Sequence, residues 1–207
     1  MIKSFIWDFD GTIFDSYRHS ARAFCIILDK YSISYAPERI MPDLRVTFNY
    51  AFEKYGLSEE QIAEFRATVK DYDLEPLIMP YADTEYILKR VIECGCKNYI
   101  YTHRDSETLG YYLNKYGMSD LFDECVTADY GFEKKPSPQG VRYIIDKYGL
   151  FAEETLMIGD RELDVRSGVD AGAYGCLLSG DAENTETCAQ YVVGNLKEIE
   201  RFLSNVR

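Results

Sequence analysis

Short apolar runs bounded by turn residues recur along this chain, and between them apolar positions return every three or four residues. The runs at about residues 2–8, 97–102, 123–128, 155–159 and 173–178 predict strands. Ser106 to Tyr116 places Leu109, Tyr112, Leu113 and Tyr116 on one helical face, and Gly117 follows as a stop. Pro138 to Tyr148 repeats the design with Val141, Ile144, Ile145 and Tyr148, then Gly149; Pro138 suits a first helical turn. Asn195 with Glu198 predicts a capping box that opens a last helix carrying Ile199, Phe202 and Leu203. Strand and helix alternate through the second half of the chain, which predicts an α/β fold: a Rossmann-like parallel sheet with helices on both faces. The tripeptide Lys-Tyr-Gly, beginning at Lys54, Lys115 and Lys147, reads as a shared helix ending rather than as a repeat.

Between the first strand and the second lies a stretch too long for one crossover helix. Ser16 to Tyr31 carries Phe24, Ile27, Leu28 and Tyr31 on one face. Leu44 to Tyr55 is a second helical candidate. Ser58 with Gln61 caps a third, followed by Ile62, Phe65 and Val69. A helix near Asp83 to Cys94 returns to the sheet. The expected organisation is a core of residues 1–15 and 80–207 with a small helical domain, residues 16–79, inserted into it. The links fall near Phe14–Ser16 and Met79–Ala82.

Composition narrows the partners. With 207 residues, 46% apolar and 28% charged, the chain describes a soluble protein large enough for one core and an accessory domain. A formal charge of −12 argues against nucleic acid or an anionic membrane as the partner, while leaving a phosphorylated small molecule open, because site fields are local. No apolar run spans a bilayer, and Met1-Ile2-Lys3 leads at once into an aspartate pair with no signal peptide, so a cytoplasmic location is expected. The six cysteines show no Cys-x-x-Cys and read as free buried thiols. A monomer or small homo-oligomer is expected.

In a parallel sheet, sites form at the carboxyl ends of the strands. The first strand ends in Asp8, Phe9, Asp10, Gly11 and Thr12. The second ends in Thr102, His103 and Arg104. The loop after the third carries Lys134, Lys135 and Pro136, and the fourth ends in Gly159, Asp160, Arg161, Glu162, Leu163 and Asp164. Two aspartates one residue apart repel each other and are costly to desolvate. Carboxylates and hydroxyls at three strand ends, with a lysine from a fourth loop, suit Mg²⁺, which takes carboxylate and phosphate oxygens, and include a nucleophilic carboxylate.

The segments DFDGT, YTH, KKPSP and GDRELD, in that order, resemble the four motifs of the haloacid dehalogenase superfamily. The insert directly after the first motif resembles the C1-cap branch, with its phosphoglycolate phosphatase-like and β-phosphoglucomutase-like enzymes. The resemblance covers nearly the whole chain. It implies a Mg²⁺-dependent phosphatase acting on a small phosphorylated metabolite through an aspartyl-phosphate. Asp8 would be the nucleophile. Asp10 would be general acid, then base, with its backbone carbonyl on the metal. Gly11 would allow the sharp turn and Thr12 would support the loop by hydrogen bonds. Thr102 would hold a phosphoryl oxygen, and Lys135 would pair with Asp8 and the phosphoryl group. Asp160 would ligate Mg²⁺, and Asp164 would be a ligand through water or a partner of Lys135. Spacing to Pro136 favours Lys135 over Lys134.

Two residues depart from the family's common pattern. His103 stands where Asn or Ser is commoner and reads as a polar support of the substrate pocket. Arg161 stands where Ser is commoner and reads as a salt-bridge partner of Glu162 or of a residue of the inserted domain. His19 reads as a surface residue. Arg45 is the cation of the inserted domain that a substrate anion would meet, and specificity is expected in a loop at 36–47. The resemblance leaves two alternatives. A β-phosphoglucomutase-type mutase would need residues gripping a second phosphate, of which Arg45 is the one hint. A non-catalytic binding protein on the same fold would have lost one of Asp8, Asp10, Lys135 or Asp160. Dehalogenases lack the second aspartate, and a phosphonatase would need a desolvated lysine among Lys30, Lys54 and Lys70, none of which is marked as such.

Overall fold

The computed structural model describes residues 1–70, 78–179 and 186–203. Six parallel strands form the main sheet: β1 (Ser4–Trp7), β4 (Lys97–Tyr101), β5 (Glu124–Val126), β6 (Thr155–Gly159), β7 (Tyr174–Leu178) and β8 (Tyr191–Val193). Their order is β5-β4-β1-β6-β7-β8. The five expected strands are present, most of them trimmed at one or both ends. The sixth, β8, was not expected from the sequence, because three residues with partial burial carry almost no periodicity. Two further strands of two residues, β2 (Phe14–Asp15) and β3 (Met79–Pro80), pair with each other.

Side chains alternate across a strand, and β1 shows what that dictates. Ile6 joins Tyr99, Tyr101, Val126 and Met157 in one buried cluster with Val141 and Ile144 of helix α7 (Gln139–Tyr148). Phe5 and Trp7 stack on the other face, ring centroids 6.1 Å apart. The Trp7 indole N–H donates to Asn98 Oδ1 at 2.9 Å, and Asn98 Nδ2 donates to the carbonyls of Leu88 and Leu121. A buried amide is thereby satisfied at each polar atom. Helices α5 (Thr84–Glu93), α6 (Ser106–Lys115) and α8 (Glu162–Val169) complete the α/β arrangement.

The chain divides into two compact units, Met1–Ile13 with Pro80–Arg207, and Phe14–Met79. The second unit contains α1 (Tyr17–Lys30), α2 (Pro37–Val46), α3 (Phe48–Lys54) and α4 (Glu59–Thr68). Phe24, Phe52 and Phe65 form its centre, with ring centroids 5.4–6.1 Å apart. Each such pair is worth about 0.5–1.5 kcal/mol beyond its burial. Ser58 and Gln61 make the expected capping box.

Several expectations are corrected here. The single helix over 44–55 is two helices, broken where Thr47 turns extended (φ −163°, ψ 157°) and caps α3 by accepting from Tyr50 N–H at 2.9 Å. The specificity loop at 36–47 is helix α2, entered through Pro37, whose fixed φ suits a first turn. The last helix is 3₁₀, over Leu196–Phe202. Asn195 makes no side-chain cap and instead donates its Nδ2 to Glu198 Oε1. His19 is buried at 2% exposure rather than on the surface. All six cysteines are free, but only Cys96 and Cys176 are fully buried. The Lys-Tyr-Gly endings have a common cause: Gly56, Gly117 and Gly149 take φ of 66°, 66° and 60°, the left-handed conformation that closes a helix.

Candidate active site

Strand order assembles the site. β4 and β6 flank β1, and Trp7 pairs with Ile100 on one side and Ile158 on the other. The residues that follow these strands, Asp8, Thr102 and Asp160, therefore emerge side by side although they are far apart in sequence. Asp8 N–H donates to Ile158 O at 2.8 Å, which holds the nucleophile candidate to the sheet by its main chain. Gly11 then turns the chain at φ 82°, a conformation that a Cβ disfavours.

Lys135 is fully buried, and its ammonium donates to Asp8 Oδ1 at 2.5 Å and to Asp164 Oδ1 at 2.7 Å. It also stands 4.9 Å from the centroid of the Tyr101 ring. Burial alone would lower the lysine's pKa, but the two carboxylates outweigh it and hold it raised, so the ammonium stays charged. Asp8 is pushed up to about 7, first by burial and then by the charge of Asp164, with Lys135 pulling the other way. Lys134 is exposed.

The fourth motif is positioned by Gly159. A Cβ there would lie 2.2 Å from Cβ of Asp164, so only glycine lets the first turn of α8 close over the end of β6. Asp164, with no exposed surface, gives its second oxygen to the N–H of Arg161 at 3.2 Å. Arg161 Nε lies 3.9 Å from Asp160 and 3.7 Å from Asp164. Glu162, the partner expected for it, instead accepts from Arg166, Thr187 and the Cys188 N–H.

Two neighbours on the second strand end have distinct tasks. His103 Nε2 accepts from the Lys135 N–H at 2.8 Å, so it braces the loop that delivers the lysine. Burial and the Lys135 charge pull its pKa down to about 4, which keeps it neutral with its proton on Nδ1. Arg104, which stands at the second strand end with no role assigned from the sequence, grips Asp10 with both arms: Nη2 to Oδ1 at 2.5 Å and Nε to Oδ2 at 3.2 Å. A basic residue directly after a strand-end Thr-His was the available signal. Thr102 is 1% exposed and accepts from Arg104 N–H at 3.2 Å, leaving its own hydroxyl proton to donate. Thr12 is buried, but its hydroxyl has no partner among the described residues, contrary to the expected loop-supporting bond. Arg45, on α2, is exposed with its guanidinium 5.2 Å from the Tyr17 ring.

Asp8, Asp160 and Asp164 each offer an oxygen within 4.8 Å of the others. Asp8 Oδ2 is buried with no partner among the described residues. An all-oxygen donor set with an orphaned buried carboxylate oxygen fits a hard divalent cation such as Mg²⁺.

Comparison with known proteins places this geometry. The model of the haloacid dehalogenase-like hydrolases matches residues 5–177. A phosphoglycolate phosphatase of Aliivibrio fischeri is 27% identical over 191 residues, 86% of this chain and 84% of the relative. A pyrophosphatase PpaX of Halalkalibacterium halodurans is 28% identical over 210 residues, 96% and 95% of the two chains. The crystal structure of a putative phosphoglycolate phosphatase from Lactobacillus plantarum shares the fold, with a TM-score of 0.82 at 17% identity over 98% of this chain and all of that one.

Proposed function

This chain belongs to the haloacid dehalogenase-like hydrolases, and on that premise we propose that it is a Mg²⁺-dependent phosphatase of small phosphorylated metabolites working through an aspartyl-phosphate on Asp8. The observation that carries the reading is the state of Asp8: buried, one oxygen held by Lys135, the other without a partner. The names of the relatives, phosphoglycolate phosphatase and pyrophosphatase, support small anionic phosphates as the substrate class.

In the first half-reaction an Asp8 oxygen attacks phosphorus as the bond to the leaving oxygen breaks, and Asp10 gives that oxygen its proton. Thr102 donates its hydroxyl to a phosphoryl oxygen. Lys135 offsets the charge that gathers on the phosphoryl group. In the second half, Asp10 takes a proton from water as the water oxygen attacks phosphorus and the Asp8–phosphorus bond breaks, releasing phosphate. Asp8, Asp160 and Asp164, with the Asp10 carbonyl, would hold Mg²⁺, which supplies charge neutralisation between nucleophile and phosphate. Gly11 and Thr12 shape the turn that carries Asp10, and His103 braces Lys135 rather than touching substrate. Residues 16–79 act as the cap domain of the C1 branch, and 1–15 with 80–207 carry the chemistry. The protein works in the cytoplasm as a monomer or small homo-oligomer. No helix among the described residues is long and apolar enough to cross a membrane.

The test is phosphate release from an aryl phosphate and a panel of small phosphorylated acids and sugars, with and without Mg²⁺, beside Asp8→Asn. Mg²⁺-dependent release by the wild type, at least about a thousand-fold lower in a folded Asp8→Asn protein, is expected. Undiminished activity in that variant refutes the nucleophile, and silence across the panel refutes the phosphatase reading.

A further inference from the structure

Arg104 belongs to none of the four motifs, yet it makes the most specific polar contact in the site outside Lys135. Its guanidinium faces both oxygens of Asp10, at 2.5 and 3.2 Å. The same guanidinium lies 5.1 Å from the Phe9 ring centroid and 5.2 Å from that of Tyr112. Its main chain is tied at both ends: Arg104 N–H donates to Thr102 Oγ1, and Arg104 O accepts from Ala128 N–H at 2.9 Å. The side chain is only 16% exposed. A planar fork packed against two adjoining rings, whose centroids are 6.4 Å apart, and anchored through its backbone is a fixed reference, not a mobile surface cation.

Asp10 needs such a reference. Lys135 already serves Asp8 and Asp164, and Arg161 stands beside Asp160 and Asp164. A proton donor must lie within hydrogen-bond reach of the leaving oxygen, and small displacements are costly. We propose that Arg104 is a positioning residue for this reaction, acting through Asp10: its bidentate grip fixes the orientation in which the Asp10 carboxyl passes its proton to the leaving oxygen. This rests on the phosphatase reading above. Arginine is required because an ammonium offers a point charge and no planar fork to set the carboxylate plane.

The experiment compares wild type, Arg104→Lys and Arg104→Met on p-nitrophenyl phosphate and on an alkyl phosphate that the wild type hydrolyses. The aryl leaving group departs with little help from a proton, and the alkyl one does not. Arg104→Met is expected to lose about a hundred-fold in kcat on the alkyl phosphate, and at least about ten-fold less than that on the aryl one, with KM within about two-fold for both. Arg104→Lys falls between wild type and Met, and it supplies the same comparison should the Met variant melt at the assay temperature. Combined with Asp10→Asn, Arg104→Met should add less than about two-fold. Equal losses on the two substrates, a loss carried by KM, or additivity with Asp10→Asn overturns the proposal while leaving the phosphatase reading intact. Absence of wild-type turnover on every phosphate overturns both.

Discussion

Replacing Lys135 by Met removes the cation shared by two buried carboxylates. Asp8 and Asp164 side chains are 3% and 0% exposed, so neither can turn to water when the ammonium goes. Breaking a buried ion pair by deleting one partner costs about 3–5 kcal/mol, which is the loss expected at pH 8 in EDTA. The cost must depend on pH. A carboxyl whose folded pKa is raised binds its proton more tightly folded than unfolded. Its burden therefore appears above the unfolded value of 3.8 and grows until pH passes the folded one. In the wild type that is about 7, and acidification from pH 8 to 5.5 relieves about 2 kcal/mol. Without the lysine that lowers it, Asp8 takes its proton across the whole interval, and the relief is about 3 kcal/mol. The penalty of Lys135→Met should thus shrink by about 1–2 kcal/mol between pH 8 and pH 5.5. Urea unfolding of both proteins at both pH values measures it. A penalty below about 1 kcal/mol at pH 8, or one that grows on acidification, refutes the reasoning.

Gly159→Ala puts a Cβ 2.2 Å from the Asp164 Cβ, so β6 and α8 must part; a loss of about 2–4 kcal/mol in urea unfolding, with kcat falling alongside, is expected, and near-wild-type stability contradicts the close approach. His103, held at about 4, stays neutral in the fold while the unfolded chain takes a proton near 6.5, so its contribution to stability is lost as pH falls from about 6.5 towards 4. His103→Gln should flatten that part of the stability–pH profile, and an unchanged profile contradicts the assignment.

The sheet was legible because buried parallel strands are continuous apolar runs, and Ile6, Tyr99 and Met157 lie in such runs. The candidate site was legible through residue order: DFDGT, YTH, KKPSP and GDRELD each end a strand or follow one, and strand order β4-β1-β6 brings three of those ends together. What stayed hidden depends on contact rather than periodicity. Thr47 splits a helix through a cap that any threonine offers and few realise. His19 looks like any polar helical residue until packing buries it. Arg104 follows a strand-end His, and only the placement of Asp10, Phe9 and Tyr112 shows what it grips.

Charge explains why these residues tolerate one another. Asp8, Asp10, Asp160 and Asp164 bring four carboxylates to one strand edge, where like charges desolvated together are costly. Lys135 is shared by Asp8 and Asp164, Arg104 takes Asp10, and Arg161 stands within 3.9 Å of Asp160. These three cations fall one short of the four anions, and Asp8, raised to about 7 by its burial first and the Asp164 charge second, is the carboxyl where that shortfall shows. On the phosphatase reading proposed above, a divalent cation held by Asp8, Asp160 and Asp164 would reverse the sign of the sum and make the site favour a phosphate dianion. On this account Arg161 matters to Asp8 without touching it: its charge pulls the Asp8 carboxyl down, and neutralising it would push that carboxyl further from its ionised state.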